Sequence, residues 1–388
     1  MPFNRLTLSR IKVTLAMEKW LWQHKNWPNL VWQQDTLTPL LRDAYNRLGQ
    51  LKGKSVLVED NEEFSLDALV ANIVASSAIE SEKVDVYAVR SSLARQLGIH
   101  DNSPVKVDDS SEGLANLMRS AVTELDEALT LDTLLKWHRW LFEHHDSLMQ
   151  KVEPGLLRGD APMQIVSGSI TRPTIHFEAP PKESLEVELD QFLKWFNTTQ
   201  HDTAYDPLIR AGIAHLWFVT IHPFEDGNGR ITRALTDRAL AQTDYQSIRL
   251  FAMSEAILAN RSGYYDILEY TQKHDTDITA WLVWFAETLI EAMDGALIRI
   301  ERIANKTKFW ARHSNKDLQA NQKKVINRLL DGDFADGINA SQYKAVVKVS
   351  KATATRHLTD LVAQGLLYKT GCGGRSTRYK VTGVNQND

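Results

Sequence analysis

The stretch Tyr205–Leu235 reads YDPLIRAGIAHLWFVTIHPFEDGNGRITRAL and contains the pattern that decides the fold. Asp206 is a good N-cap, Pro207 suits the first helical position, and the residues that follow are apolar on most sides. A helix that is apolar all round lies inside a protein. We therefore predict a buried helix, which ends at His222 because the residue before a proline is driven out of helical geometry.

A glycine-containing loop follows this helix, and the run RITRALTDRALAQ opens a second helix directly behind it. Backbone N–H groups at a helix N-terminus bind anions, and Arg230 and Arg233 follow at i and i+3 on one face. This pattern indicates a polyphosphate ligand. Asp226 is then a candidate for holding the accompanying divalent cation, and His222 is a candidate general base as a neutral imidazole.

Each of these residues alone has a structural explanation. A histidine at a helix end is usually structural, GNG alone is a loop, and arginines at i and i+3 usually form a solvated face. Taken together, every position fits one phosphate-transfer site, and the combination favours that function.

The string HPFEDGNGRITR, His222–Arg233, resembles the signature HxFx(D/E)GNGRxxR of Fic-domain proteins. The resemblance extends over roughly residues 112–312. Fic proteins mostly transfer AMP from ATP to a Ser, Thr or Tyr hydroxyl of a target protein. The resemblance implies that His222 is the general base and that Asp226 is the ligand of a Mg²⁺ ion.

The same resemblance implies an ATP site. Asn228, with the backbone of Gly227 and Gly229, would hold the α-phosphate, while Arg230 and Arg233 would grip the outer phosphates. The segment ANRSGYYDIL occupies the place of the family's adenosine pocket. Three of its side chains are candidates for lining that pocket: Asn260, Tyr264 and Tyr265. At most one of the two tyrosines is expected to stack on the adenine.

Two short β-favouring runs flank SGS and predict a hairpin over Met163–Phe177. It resembles the family's flap, which aligns a target segment by main-chain pairing. Ile165 and Val166 are candidate target-clamping residues. A purely structural hairpin is the alternative.

A helix before the core ends in SSAIES, Ser76–Ser81, which resembles the inhibitory motif (S/T)xxxE(G/N) of Fic proteins. In that motif the glutamate pairs with the second arginine of the signature, here Glu80 with Arg233. Ser81 departs from the expected glycine or asparagine. A solvated helix-end glutamate is the alternative.

The last 68 residues carry 11 Lys and Arg against five Asp and Glu, a net charge of +6, whereas the other 320 carry 34 against 44, a net charge of −10. Their pattern of three helices and two strands resembles a winged helix-turn-helix. Candidate DNA contacts lie at the start of its third helix and on its wing: Lys351, Thr353, Thr355, Arg356, Arg375 and Arg378. Protein docking is the alternative function of such a module.

Composition places the chain among globular proteins, with 388 residues, 43% of them hydrophobic and 24% charged. The run AWLVWFA is far short of the ~20 residues that span a bilayer. The single cysteine, Cys372, indicates a reducing compartment, and we expect a cytoplasmic protein. Residues 1–17 are expected to be an ordinary N-terminal extension, with Met17 as an alternative start.

We therefore expect a mainly α fold with three parts: an N-terminal helical region with the inhibitory helix over 1–100, a Fic catalytic core with a hairpin flap over 101–313, and a winged helix-turn-helix over 314–388. The expected function is Mg²⁺-dependent AMP transfer from ATP to a target hydroxyl, restrained by Glu80, with the protein itself among the candidate targets. The chain is a candidate homodimer. The alternatives are a DNA-associated regulator with a nucleotide-sensing core, and a Fic enzyme with another donor or one that phosphorylates or removes AMP.

Overall fold

The structure, a computed structural model, describes residues 19–56, 61–99, 107–143, 152–169, 172–243, 250–370 and 377–383. Met17 and Arg375 lie outside these ranges. Helices α1 to α14 span, in order, Gln34–Ser55, Asn61–Ile79, Val86–Leu97, Asp109–Thr123, Leu131–Phe142, Leu185–Thr198, Pro207–Ile221, Asn228–Thr243, Met253–Ala259, Arg261–Gln272, Thr279–Arg312, Ala320–Leu330, Ala340–Val347 and Lys351–Ala363.

Strands are few. Strand β1 (Gln164–Ser169) pairs antiparallel with β2 (Arg172–Glu178), and β3 (Leu367–Thr370) pairs antiparallel with β4 (Arg378–Val381). The predicted mainly α fold with a small hairpin is confirmed. No helix in the described part of the chain combines the length and the apolar character needed to cross a membrane.

The first of two compact units contains residues 1–46 and 62–292, so most of the N-terminal helical region and residues 101–292 of the expected core share one unit. Helix α7 lies at its centre, and each residue from Leu208 to Ile221 is buried. Asp206 caps the helix by accepting the N–H of Leu208 at 2.9 Å, with Pro207 in the first turn. Neighbours α6 and α8 pack against it.

The tryptophan-rich N-terminal segment braces the hairpin. Trp22 Nε1 donates to the Glu178 carbonyl at 2.7 Å, and the ring of Trp20 packs edge-on against Phe177 at 5.5 Å between centroids. A two-stranded hairpin is marginal alone in water, so these contacts fix the base of the β1–β2 pair.

The second unit contains residues 47–61 and 293–388. The boundary between the two units therefore falls within α11. The core of this unit combines the end of α11 with residues of α12–α14, of both strands and of the loops between them: Phe309, Leu318, Val325, Ile326, Leu329, Leu330, Ile338, Tyr343, Ala354, Leu358, Leu361, Leu366, Leu367 and Tyr379. Ser350 caps α14 by accepting the N–H of Thr353 at 3.1 Å.

A substitution at Gly113 tests the packing of α4. A Cβ at Gly113 would lie 2.0 Å from the Trp140 carbonyl oxygen, whereas a Cβ at Gly295 in α11 would meet nothing within 4 Å. We expect Gly113→Ala to destabilise the protein by about 1–3 kcal/mol, because backbone must shift. Gly295→Ala, the control, should stabilise it by about 0.5–1 kcal/mol. Thermal unfolding followed by circular dichroism measures both, and shifts of equal sign would contradict this packing.

Candidate functional site

His222 ends α7 in the left-handed region, with φ 50° and ψ 60°. Its Nδ1 lies 3.1 Å from the Val219 carbonyl oxygen, and because a carbonyl only accepts, Nδ1 carries the proton. The lone pair is therefore on Nε2. Burial lowers the pKa of His222 below its usual 6.5, and the positive charge of Arg158 lowers it further. The Val219 hydrogen bond and the nearby carboxylates raise this pKa, but by less. The imidazole is neutral at physiological pH and has the protonation state of a general base.

The loop after His222 is held from within. Asn228 Oδ1 accepts the N–H of Phe224 at 3.0 Å, and Asn228 Nδ2 donates to the Phe224 carbonyl at 2.8 Å. Phe224 is fully buried and stacks on His138 at 4.3 Å between centroids. These two bonds tie the Asn228 side chain to the loop, and they use only one of the two hydrogens on Nδ2.

Both glycines of the loop meet a steric requirement. Gly227 has φ 79°, and a Cβ there would approach the Phe142 ring to 2.8 Å. A Cβ at Gly229 would lie 2.0 Å from a carboxylate oxygen of Glu80. The sequence predicts a tight loop here. In the structure, Gly227 allows the left-handed backbone conformation, and Gly229 leaves room for the Glu80 carboxylate.

The N-terminus of α8 follows this loop, and the first N–H groups of a helix have no partner within the helix. Arg230 and Arg233 are 4% and 3% exposed, so the two guanidinium charges are buried beside this helix end. Within the described structure, Nε and Nη2 of Arg230 and Nη1 of Arg233 have no hydrogen-bond partner. Buried, partly unsatisfied cations at a helix N-terminus form an anion site.

Asp226 lies at the entrance to that helix end. Its carboxylate is exposed, and Oδ1 accepts the N–H of Gly227 at 2.6 Å. Mg²⁺ is commonly held by one or two carboxylates together with substrate phosphates, and a single exposed carboxylate next to an anion site fits that mode. The described residues contain no cluster of three or more metal-ligating side chains.

Helix α2 closes the site from the other side. Glu80 Oε1 accepts from Arg233 Nη2 at 2.8 Å, and Ser76 accepts from Arg233 through Oγ at 2.8 Å and through its carbonyl at 2.9 Å. Burial would raise the pKa of Glu80, but the charge of Arg233 and its hydrogen bond outweigh it, so the pKa lies below normal. The expected partners Glu80 and Arg233 are thus in contact, with Glu80 ionised.

A second buried contact joins α2 to α8. Asn72 Nδ2 donates to Asp237 Oδ2 at 2.7 Å, and burial raises the pKa of Asp237 to about 7. Sequence reasoning missed this pair, because a polar residue on an apolar helix reveals no partner until the helices are packed.

Arg158 is another residue that the sequence analysis missed. It is 1% exposed, and its Nε donates to the His222 carbonyl at 2.9 Å while Nη2 donates to the Pro180 carbonyl at 2.5 Å. Its backbone N–H donates to the Pro223 carbonyl at 2.9 Å. One guanidinium thus fixes the end of α7 relative to the segment after the hairpin. The one feature of the sequence that could have indicated Arg158 is its position just before the hairpin, in the segment RGDAP.

The hairpin exposes an apolar edge. Ile165 and Val166, the candidate clamping residues, are 39% and 52% exposed, and a register shift in β1 lies between them. His176 on β2 bridges two elements, since Nε2 lies 2.6 Å from Ser167 Oγ and Nδ1 lies 2.7 Å from Glu269 Oε2 of α10. This chain of contacts attaches the hairpin to α10.

The candidate adenine-binding residues divide into two groups. Asn260 and Tyr265 are exposed at the start of α10. Tyr264 is 2% exposed, and its hydroxyl lies 2.8 Å from His215 Nε2, so it belongs to the core and does not line an open pocket. Adjacent tyrosines on a helix point in different directions, and here the second one faces outward.

The candidate DNA contacts also divide. Lys351, Thr355 and Arg356 are exposed on α14, whereas Thr353 is half-buried, with its hydroxyl 2.9 Å from that of the cap, Ser350. Arg378 is half-buried, and Nη1 donates to the Gly337 carbonyl at 2.8 Å, which ties β4 to the loop before α13. Arg378 therefore has a structural contact, and Arg375 lies outside the described residues.

Comparison with known proteins gives two family matches. Residues 128–240 match the Fic/DOC family, and residues 20–99 match a domain of unknown function, DUF4172. Proteins named "Protein adenylyltransferase Fic" from Aedes aegypti and Drosophila melanogaster are 27% and 26% identical over 54% and 59% of this chain. The chain spans only 38% and 42% of those relatives' lengths.

A solved structure shares the fold. A Fic family protein from Desulfovibrio desulfuricans G20 matches with a TM-score of 0.52 at 19% identity, covering 91% of this chain and 97% of the other. At this identity the likeness concerns the fold alone.

Replacing Arg158 tests its action on His222. Arg158→Met removes a positive charge that lowers the pKa of His222, so that pKa should rise toward 6.5, although burial keeps it below. Arg158→Lys keeps the charge and should leave the pKa nearer the wild-type value. The pH titration of the His222 imidazole signal by NMR measures this, with thermal unfolding as a check on folding. An unchanged pKa in Arg158→Met would show that the charge of Arg158 does not reach the imidazole.

Proposed function

Because residues 128–240 form a Fic domain, we propose that the chain is a protein adenylyltransferase that moves AMP from ATP to a hydroxyl side chain of a target protein. The observation that carries the proposal is the arrangement around α8: a neutral imidazole with a free Nε2 beside a helix N-terminus flanked by two buried arginines. The names of the curated relatives support the same activity.

In the proposed reaction the α-phosphate of ATP binds to the N–H groups at the start of α8, from Gly227 to Gly229. Arg230 and Arg233 hold the outer phosphates through their guanidinium N–H groups, of which Nε and Nη2 of Arg230 and Nη1 of Arg233 have no partner within the described structure. Fixing both ends of the triphosphate orients the bond between the α-phosphorus and the leaving oxygen. Asn260 and Tyr265 are the candidates for contacting the adenine.

The target hydroxyl donates its proton to Nε2 of His222. Its oxygen forms a bond to the α-phosphorus, the bond from that phosphorus to the bridging oxygen breaks, and pyrophosphate leaves. A positioned general base typically contributes ~10²–10⁴-fold in rate. When bound, a Mg²⁺ ion held by Asp226 would neutralise phosphate charge.

The target segment is proposed to pair with the exposed edge of the hairpin, beside Ile165 and Val166. The contacts of His176 with Ser167 and Glu269 support this role, because they hold the hairpin in one orientation relative to α10. Arg158 contributes by fixing the backbone of His222.

Glu80 is proposed to inhibit the reaction. Its carboxylate occupies a guanidinium nitrogen of Arg233 that would otherwise bind an outer phosphate. ATP then binds with its α-phosphate out of line for attack, and misalignment of this kind lowers rate by orders of magnitude.

The test is AMP transfer by four purified variants at matched ATP and Mg²⁺. Glu80→Gly should raise labelling from α-labelled ATP strongly, most visibly on the protein itself, and mass spectrometry should locate AMP on a hydroxyl side chain. Glu80→Gly combined with His222→Ala should lose ~10²–10⁴-fold of that rate. Glu80→Gly combined with Arg233→Ala should resemble Arg233→Ala alone, because the glutamate has no partner to release. Equal labelling by wild type and Glu80→Gly would refute inhibition, and an undiminished rate for Glu80→Gly combined with His222→Ala would refute the role of His222 as the base.

DNA binding by the second unit is a separate proposal, supported by the exposed Lys351 and Arg356 and by the net charge of +6 after residue 320. Lys351→Ala with Arg356→Ala should weaken salt-sensitive DNA binding in a gel shift, because the variant neutralises fewer phosphates and so releases fewer counterions from the DNA. Arg378→Ala, a control that removes one half-buried arginine, should act through stability instead, since it removes a contact to Gly337. Absence of salt-sensitive binding by the wild type would favour the protein-docking alternative.

A further inference from the structure

The turn after α2 brings a second glutamate to the site. Ser81 has φ 66°, its N–H donates to the Ala78 carbonyl at 3.0 Å, and the N–H of Glu82 donates to the Ser77 carbonyl at 3.0 Å. This pair of hydrogen bonds is a Schellman motif, which reverses the chain at a left-handed residue. Glu80 and Glu82, on either side of Ser81, consequently both face α8.

Glu82 contacts the other arginine of the site. Its Oε2 accepts from Arg230 Nη1 at 2.5 Å, and its side chain is 32% exposed. The guanidinium of Arg230 also lies over the Phe142 ring, 5.1 Å from the centroid. A buried guanidinium requires a negative partner, and in this structure Glu82 supplies it.

Ser81 fastens this turn to α10. Arg261 Nη2 donates to Ser81 Oγ at 3.2 Å, and the Arg261 guanidinium lies 5.6 Å from the centroid of the Tyr265 ring. A glycine in the left-handed position would lack this contact. The serine that departs from the inhibitory motif therefore connects the two glutamates to the helix that carries Asn260 and Tyr265.

We propose that Glu82 is a second gating residue of the nucleotide site, whose carboxylate competes with an outer phosphate of ATP for Arg230. The inference rests on the proposed function, because it takes Arg230 to be a phosphate ligand. Glu80 and Glu82 then neutralise one arginine each, and a triphosphate must displace each carboxylate to take the guanidinium nitrogen that the carboxylate occupies. A nucleotide without outer phosphates meets no such competition.

The competition predicts a gain of affinity specific to the phosphates. Glu82→Gln should bind Mg²⁺-ATP about tenfold more tightly than wild type in isothermal titration calorimetry, since a charge-assisted hydrogen bond to Arg230 no longer has to be broken. Its affinity for AMP should change by less than about twofold. A purely structural role for Glu82 would instead lower the thermal stability and leave the affinity for ATP unchanged or reduced.

Two further variants keep the test decisive. Glu82→Asp retains the charge but is one methylene shorter, so it should release Arg230 and reproduce the gain if Glu82→Gln fails to fold. Glu62→Gln removes an exposed carboxylate near the start of the same helix, α2, and should leave ATP affinity at the wild-type value. Equal gains for ATP and AMP, or no gain in either Glu82 variant, would overturn the proposal.

Transfer assays separate this inference from the proposed function. At ATP concentrations below saturation, Glu80→Gly with Glu82→Gln should transfer AMP about tenfold faster than Glu80→Gly alone, in line with its tighter binding. Tighter ATP binding with no AMP transfer by any variant would refute the adenylyltransferase and leave the gate in place. Transfer by Glu80→Gly without a change of affinity in the Glu82 variants would refute the gate and leave the enzyme in place.

Discussion

Two buried guanidinium groups impose the main constraint on this molecule. Arg230 and Arg233 lie 4% and 3% exposed beside the start of α8, where the helix end is itself positive. Such a concentration of positive charge is costly without negative partners. Glu80 and Glu82 supply the partners in this structure, and the proposed phosphates of ATP would supply them during turnover.

This constraint explains why inhibition and substrate binding are proposed for the same atoms. A carboxylate and a phosphate oxygen accept the same guanidinium hydrogens, so one can replace the other without rearrangement of the core. The α2–α8 contact through Asn72 and Asp237 holds the two helices together independently of the glutamates. Release of the carboxylates therefore does not require α2 to leave.

On the other side of the loop, rigid contacts hold His222, the proposed general base, in place. Asn228 closes the loop onto the Phe224 backbone, and Arg158 fixes the His222 carbonyl, so the imidazole has few ways to reorient. The Nδ1 contact with Val219 then leaves Nε2 as the acceptor. A base held in this way is positioned before any substrate arrives, which is the arrangement that lowers the entropic part of a barrier.

The sequence by itself determined the buried helix α7, the loop HPFEDGNGR and the start of α8, because capping residues, a proline and glycines act over a few neighbouring positions. The motifs also selected Glu80 and Arg233, although they lie 153 positions apart. Only the tertiary structure decided which side chains meet: Glu82 with Arg230, Arg158 with the His222 carbonyl, and Tyr264 with His215 in the core rather than at the proposed nucleotide pocket. Local patterns fix the backbone of a segment, whereas contacts between distant segments depend on how helices pack, and that packing is decided by the whole core.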